Sequence, residues 1–97
     1  MRRTDGPKMK SPYLEVTFRK GNPMAAYLYL PRHSGDRAVR TAKAARGMLV
    51  DYATDGRPIG IEFTSTTHIR LANVNAVLSA ANESPATPGD LAPLAVA

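Results

Sequence analysis

The first patterned stretch of the chain, residues 13–19, alternates apolar and polar positions. Its apolar face consists of Leu14, Val16 and Phe18. A period of two is typical of a β-strand with one buried face. Residues 20–23 follow with Gly21 and Pro23, which favour a turn, and Pro23 lacks the N–H that a central strand position needs. We therefore predict a half-buried strand that ends in a turn.

Residues 25–30 continue the alternation and predict a second strand. One face carries Ala26, Leu28 and Leu30, and the opposite face carries Tyr27 and Tyr29. Two interpretations of the tyrosines stay open. They lie flat on a solvated sheet with their hydroxyls outward, or they are covered by a second subunit or another protein.

The most specific pattern in the chain consists of two alternating runs, residues 48–53 and 59–63, on either side of Asp55-Gly56. An Asp-Gly pair between two such runs is a strong signal of a β-hairpin. Gly56 can adopt a positive φ because it has no Cβ. We predict two strands joined by a tight turn at this pair.

Residues 37–46 allow two interpretations. Their alanines and arginines favour a helix, which Asp36 could cap and Gly47 could end. On a helix, four cations would form one basic stripe: Arg37, Arg40, Lys43 and Arg46. An alanine-rich helix has little to bury, however, and an edge strand whose charges resist pairing is the alternative.

A helix is predicted from Ile69 or Leu71 to about Ala81. Its apolar stripe comprises Leu71, Val74, Val77 and Leu78. This spacing is typical of a helix that packs one face on a sheet. Residues 64–67, a run of threonine and serine, offer candidates for its N-cap.

Composition indicates one small domain. The chain has 97 residues, no cysteine and a formal net charge of +5, and its length fits a single domain. We expect a disordered basic arm over residues 1–11, an α+β domain over 12–82, and a Pro-rich tail over 83–97. The tail is expected to be flexible, with docking through Leu91 and Leu94 as the alternative. Without a signal peptide or an apolar span, we expect a cytoplasmic protein.

Together these elements predict the fold class α+β. We expect an antiparallel sheet of about four to five short strands, arranged as two hairpins, with one C-terminal helix packed on one face.

Candidate chemistry is sparse. Asp51, Asp55, Gly56 and Glu62 stand at positions 1, 5, 6 and 12 of a calcium-binding loop, but Ala53 replaces the ligand at position 3. The flanking runs alternate with period two, whereas such a loop lies between helices. His33 and His68 lack partners at metal-ligand spacing. We predict no catalytic residue, no metal site and no cofactor.

The hairpin block resembles a family of small bacterial proteins of unknown function, the YuzE-like family. Its motif reads Asp-Tyr-Asp-x-x-Gly-Arg-x-x-Gly-Ile-Glu, and the residues that match it or mark its turn are Asp51, Tyr52, Asp55, Gly56, Arg57, Gly60 and Glu62. The resemblance implies a small antiparallel sheet with a C-terminal helix, often dimeric, and an extended segment over residues 40–46. The acidic pattern of the family's first strand is missing here, because residues 18–24 are basic or neutral.

Two functions follow as hypotheses. The resemblance and the paired tyrosines favour a non-enzymatic protein-interaction module, a homodimer or the antitoxin-like partner of a small toxin, with contacts through Tyr27 and Tyr29. The positive charge favours the alternative, a nucleic-acid binder that uses the series Arg37, Arg40, Lys43 and Arg46. In a strand, however, a spacing of three sends successive charges to opposite faces.

Overall fold

The structure is a computed structural model that describes residues 13–31, 33–67 and 69–94. The predicted basic arm, residues 1–11, lies outside the described residues. The elements in chain order are β1 (Tyr13–Arg19), β2 (Asn22–Tyr29), β3 (Arg40–Ala45), β4 (Met48–Tyr52), β5 (Pro58–Phe63), α1 (Leu71–Ala80) and a 3-10 helix (Pro88–Leu94).

The five strands form one antiparallel sheet in the order β1-β2-β5-β4-β3. Two local units make it up, the hairpin β1–β2 and the meander β3–β4–β5. They join where β2 pairs with β5, from Ala26 opposite Phe63 to Tyr29 opposite Gly60. We call this junction the seam. The predicted α+β fold class is therefore confirmed.

The turn between β1 and β2 is tighter than predicted. It consists of Lys20 and Gly21, both with positive φ (52° and 81°), as in a two-residue hairpin turn. Strand β2 begins at Asn22, and Pro23 lies within it, opposite Phe18. Pro23 is tolerated because β2 pairs with β5 from Ala26 onward, so its second edge needs no N–H at Pro23.

The ambiguous segment is a strand. Strand β3 covers Arg40–Ala45 and pairs with β4, so neither Asp36 nor Gly47 caps a helix. Gly47 instead adopts a φ of 75° in the turn that leads into β4. Pairing with a neighbouring strand outweighs the helix propensity of alanine and arginine, which amounts to tenths of a kcal/mol per residue.

The central hairpin is confirmed as β4 and β5. The N–H of Ala53 donates to the carbonyl of Arg57 at 2.9 Å, and the N–H of Gly56 donates to the carbonyl of Ala53 at 2.9 Å. Gly56 has a φ of 89°, the left-handed conformation that glycine adopts without strain. A bulge between Asp51 and Tyr52 shifts the register before the turn.

Helix α1 packs on one face of the sheet, which we call the core face. The helix contributes Val74, Val77 and Leu78 to the core, and Leu71 is partly buried. Beneath the helix, the largest buried side chains of the strands are Leu28, Val50, Ile61 and Phe63, and Leu30 lies just after β2. Burying such side chains contributes about 1.5–3 kcal/mol each, so the helix and the sheet stabilise one another.

The prediction that residues 64–67 cap this helix is wrong. The N-cap position is Arg70, and no side-chain cap hydrogen bond is present there. The hydroxyl of Thr66 instead donates to the carbonyl of Pro23 at 2.8 Å. The linker therefore ties the end of β5 to the start of β2.

For residues 83–94 of the tail, the structure shows the docked alternative, and residues 95–97 lie outside the described residues. Leu91 is fully buried, and Leu94 packs against the core from a partly exposed position. Asn75 on α1 holds the segment that leads to them: its amide accepts from the N–H of Ala86 at 2.7 Å and donates to the carbonyl of the same residue at 3.2 Å. The 3-10 helix then lies against β1.

Candidate functional site

The sheet face opposite α1 carries both tyrosines of β2 and three residues of the hairpin motif, Asp51, Gly60 and Glu62. Cross-strand pairing places Glu15, Tyr27 and Glu62 in one row and Tyr13, Tyr29, Gly60 and Asp51 in the next. We call this surface the tyrosine face. The helix and the 3-10 helix bury their apolar residues on the core face.

The tyrosine rings contact one another. The rings of Tyr13 and Tyr29 stack with centroids 4.6 Å apart and planes 14° apart. The ring of Tyr27 meets that of Tyr29 nearly edge-on, at 4.7 Å and 63°. Both arrangements are favourable for aromatic quadrupoles, so the rings form one ordered patch.

Tyr27 reaches across β5 to a carboxylate. Its hydroxyl donates to Oδ2 of Asp51 at 2.8 Å, and the hydroxyl of Thr41 donates to Oδ1 of the same carboxylate. Gly60 lies under this bridge, and a Cβ at that position would overlap with the tyrosine ring. The glycine of the hairpin motif is thus needed for the approach of Tyr27, and the aspartate of the motif anchors the hydroxyl.

Tyr29 is anchored in the same way, because its hydroxyl donates to Oε1 of Glu15 at 3.1 Å. The tyrosines therefore lie flat on the sheet, but their hydroxyls bind carboxylates of the chain. Glu15, Asp51 and Glu62 place three carboxylates on the face, and Lys43 lies at its far edge. Arg37 lines a pocket beside Glu15, Tyr27 and Tyr29.

The rest of the motif forms a second cluster at the hairpin turn. The guanidinium of Arg57 donates to both oxygens of Asp36, at 2.7 Å and 3.1 Å, and to Oδ2 of Asp55 at 2.6 Å. These bonds fasten the loop before β3 to the turn. A paired fork of this kind is geometrically specific as well as stabilising.

The ion pairs set the ionisation of this cluster. Hydrogen bonds from Arg57, and after them the N–H of His33, hold the pKa of the Asp36 carboxyl below its usual range. Arg57 likewise lowers the pKa of Asp55, and the two carboxylates raise the pKa of Arg57. Asp36 was predicted only as a possible helix cap, because nothing in the sequence places it beside residue 57.

The basic series does not form one patch. Arg37, Arg40, Lys43 and Arg46 are all exposed. Arg40 lies opposite Tyr52 with its guanidinium 4.0 Å from the centre of that ring, which is a cation–π contact. Lys43 pairs with Leu49, which shares its face with Glu62. Arg40 and Lys43 thus project to opposite sides of the sheet.

The residues at the calcium-loop positions are not grouped as metal ligands in the described ranges. No group of three or more metal-ligating side chains occurs among those residues. The Asp51 carboxylate accepts hydrogen bonds from the hydroxyls of Tyr27 and Thr41, and the Asp55 carboxylate accepts one from the guanidinium of Arg57. His33 is exposed, and His68 lies outside the described residues.

Comparison with protein-family models, curated proteins and solved structures finds no match. The resemblance of the hairpin block to the YuzE-like family therefore stays a prediction. In the part of the chain that the structure describes, no helical segment has the length and apolar character of a membrane span.

Proposed function

We propose that this chain is a non-enzymatic protein-interaction module that binds its partner through the tyrosine face. The observation that carries the proposal is the ordered patch of Tyr13, Tyr27 and Tyr29, whose rings contact one another. Tyrosine is enriched in protein interfaces. Because the rings are already held in place, binding them costs little side-chain entropy.

The charge of the face selects the kind of partner. Glu15, Asp51 and Glu62 lie in two adjacent rows of the sheet, so the proposed partner presents basic side chains. Complementary charge speeds encounter and excludes partners of the wrong sign. The family resemblance implies a small toxin as the partner, and the carboxylates of this face imply that such a toxin would be basic.

A second copy of the chain is the less favoured occupant. Two tyrosine faces in contact would bring acidic rows together, and like charges at an interface cost several kcal/mol. Light scattering tests the predicted homodimer directly. If the variant Glu62→Lys still has the mass of a dimer, the dimer contact lies outside the tyrosine face.

Nucleic-acid binding is the second candidate, and the net charge of +5 favours it. Two features argue against it. Arg40 and Lys43 project to opposite sides of the sheet, and the aromatic patch is surrounded by carboxylates that repel phosphate. A strong loss of oligonucleotide binding with rising salt, mapped to these cations, would support this candidate instead.

The test of the protein-interaction proposal is affinity capture from host cells with three forms of the chain. The first form is the wild type, and the second is Glu62→Lys. The third is a control that carries Ser79→Lys together with Ser84→Lys, which raises the net charge by the same amount as Glu62→Lys. Both serines are exposed and lie outside the tyrosine face.

The wild type and the control should recover one stoichiometric partner, and Glu62→Lys should lose it. Calorimetry with the purified partner then measures the change in affinity. Equal recovery by all three forms, or no partner with any of them, contradicts the proposal.

A further inference from the structure

An apolar groove runs along the core face between α1 and the outer strands of the meander. Its volume is about 440 Å³. The residues that define it are Ala45, Met48, Val50, Tyr52, Val77 and Ala80. We call it the helix groove. It exists because several residues on both of its walls are alanines, which are too small to fill the space between the helix and the strands.

The groove lies beside an open edge of the sheet. Strand β3 has β4 as its neighbour on one side, and on the other side the described chain supplies no strand. At the other end of the sheet, the 3-10 helix packs against β1. An edge strand presents unpaired N–H and C=O groups that can bind another extended segment.

Cations follow this open edge. Arg40, Lys43 and Arg46 are exposed, and residues 37–50 contain no acidic side chain. Within the described residues, none of the three forms an ion pair with a carboxylate. Arg40 begins β3, Arg46 directly follows it and lines the groove, and Lys43 projects from the opposite face. Arg37 precedes the strand and lines a separate pocket with Glu15, Tyr27 and Tyr29.

This charge pattern decides among the occupants of the groove. A second copy paired through β3 would set cations against cations, which is how natural edge strands avoid self-pairing. An acidic strand has the complementary charge. Its alternate side chains would enter the apolar groove, and the others would meet Lys43 on the far side of the sheet.

We propose that β3 binds an extended acidic segment of a partner protein by strand addition. On one face, the segment places small apolar side chains in the helix groove and carboxylates beyond them near Arg40 and Arg46. On its opposite face, it places a carboxylate near Lys43. This inference goes beyond the proposed function, because it concerns a different surface and does not depend on the tyrosine face.

The probe is a fluorescein-labelled peptide, Thr-Glu-Thr-Val-Glu-Val-Thr-Glu-Thr, with both ends blocked. Its even positions place two valines between two glutamates on the groove face, and its central glutamate faces Lys43. Fluorescence anisotropy measures its binding to the full chain, and amide chemical shifts map the contact. We expect the largest shifts along β3 and at Val77 and Ala80. Binding should weaken as salt rises from about 50 mM to about 500 mM, because exposed ion pairs are screened.

Two N-methylated forms of the peptide test strand addition itself. One is methylated at odd positions and the other at even positions. Alternate N–H groups of a strand point to opposite sides, so one form should lose about tenfold or more in affinity and the other much less. Equal behaviour of the two forms would overturn strand addition.

Variants of the protein test the groove and the charges. Ala80→Leu, which fills the groove, and Arg46→Glu should each weaken binding of the unmethylated peptide about fivefold or more. The matched control Arg19→Glu, an exposed cation at the end of β1, should leave it unchanged. Glu62→Lys should also bind the peptide normally, which separates this inference from the proposed function.

Three further results would overturn the inference. The first is no binding of the peptide at millimolar concentration. The second is equal binding of a peptide with lysine in place of its acidic residues. The third is concentration-dependent self-association with amide shifts along β3, which would assign the groove to a second copy.

Discussion

The tyrosine face and the β3 edge belong to one sheet, but they differ in whether their polar side chains pair with other side chains of the chain. On the tyrosine face, the hydroxyls of Tyr27 and Tyr29 bind carboxylates of the same chain. Along the β3 edge, the cations form no ion pair within the described residues, and an apolar groove lies beside them. On the tyrosine face, the hydroxyls have carboxylate partners within the chain, whereas the cations of the β3 edge have no carboxylate partner among the described residues.

This difference predicts how each surface responds to substitution. Changes on the tyrosine face remove contacts within the fold, so they should lower the free energy of unfolding. Changes along the β3 edge remove few such contacts, so they should alter binding and leave stability nearly constant.

Gly60→Ala should have the largest effect. The added Cβ overlaps with the Tyr27 ring, which must move away from Asp51 and from Tyr29. Losing a hydrogen bond to a charged group and an aromatic contact together costs about 2–4 kcal/mol. Urea denaturation followed by circular dichroism measures the change.

The control for this prediction is a double-mutant cycle with Tyr27→Ala. In the absence of the ring, Gly60→Ala should cost much less, and the difference is the coupling energy between the two positions. If the glycine substitution costs the same in both backgrounds, the tyrosine face is not packed as described.

Asp51→Ala should have the next largest effect. It leaves the hydroxyls of Tyr27 and Thr41 without their shared acceptor, at a cost of about 1–3 kcal/mol. Glu62→Ala is the matched control, because Glu62 is an exposed carboxylate on the same face and should change stability by less than about 0.5 kcal/mol. Equal effects of the two variants would contradict a specific network at Asp51.

The free energy of unfolding should also depend on pH through Asp36, in the loop before β3, and Asp55, in the hairpin turn, because both carboxylates bind Arg57. The pKa values of the Asp36 and Asp55 carboxyls are lower in the folded chain than in the unfolded chain. Their contribution is complete above their ordinary pKa and is lost as the pH falls toward the lowered values. Glu83 acts in the opposite direction, because burial raises the pKa of its carboxyl.

Asp36→Asn tests this contribution. The variant should be less stable at neutral pH, by less than Asp51→Ala, and its stability should fall less steeply between about pH 5 and pH 2. Denaturant midpoints across this pH range give both quantities. A parallel decline in the wild type and the variant would show that Asp36 does not carry the pH dependence.

Ala76→Leu should have the smallest effect on stability. Ala76 is exposed and lines the helix groove, and leucine has nearly the helix propensity of alanine. We expect a change within about 0.5 kcal/mol, together with weaker binding of the acidic peptide. Ala72→Leu, an exposed position of the same helix outside the groove, should change neither quantity.

The sequence predicts the fold well where its pattern is local. Strand alternation locates β1, β4 and β5 almost to the residue, and the Asp55-Gly56 pair locates the hairpin turn. Strand β3 is different, because its composition favours a helix and its pairing with β4 decides the outcome. Local propensity cannot show a contact that another strand supplies.

The candidate sites depend on contacts that the sequence does not display. The bond from Tyr27 to Asp51 joins residues that are far apart in the chain, and so do the bonds from Arg57 to Asp36. The motif identifies Gly60 and Arg57 as notable, but their partners follow from the register of the strands. Asn75, which holds the tail segment, gives no recognisable signal before the fold is known.

The seam between β2 and β5 has a consequence for the kinetics of folding. The hairpin β1–β2 and the meander β3–β4–β5 can each form through contacts between residues that are near in sequence. The seam forms only when residues 30–57 close as a loop between β2 and β5. A non-local step of this kind slows folding, and substitutions that perturb it change the rate of refolding more than the rate of unfolding if it forms in the transition state. Until it closes, β2 and β5 each expose a free edge, and two partly folded chains could exchange their halves there.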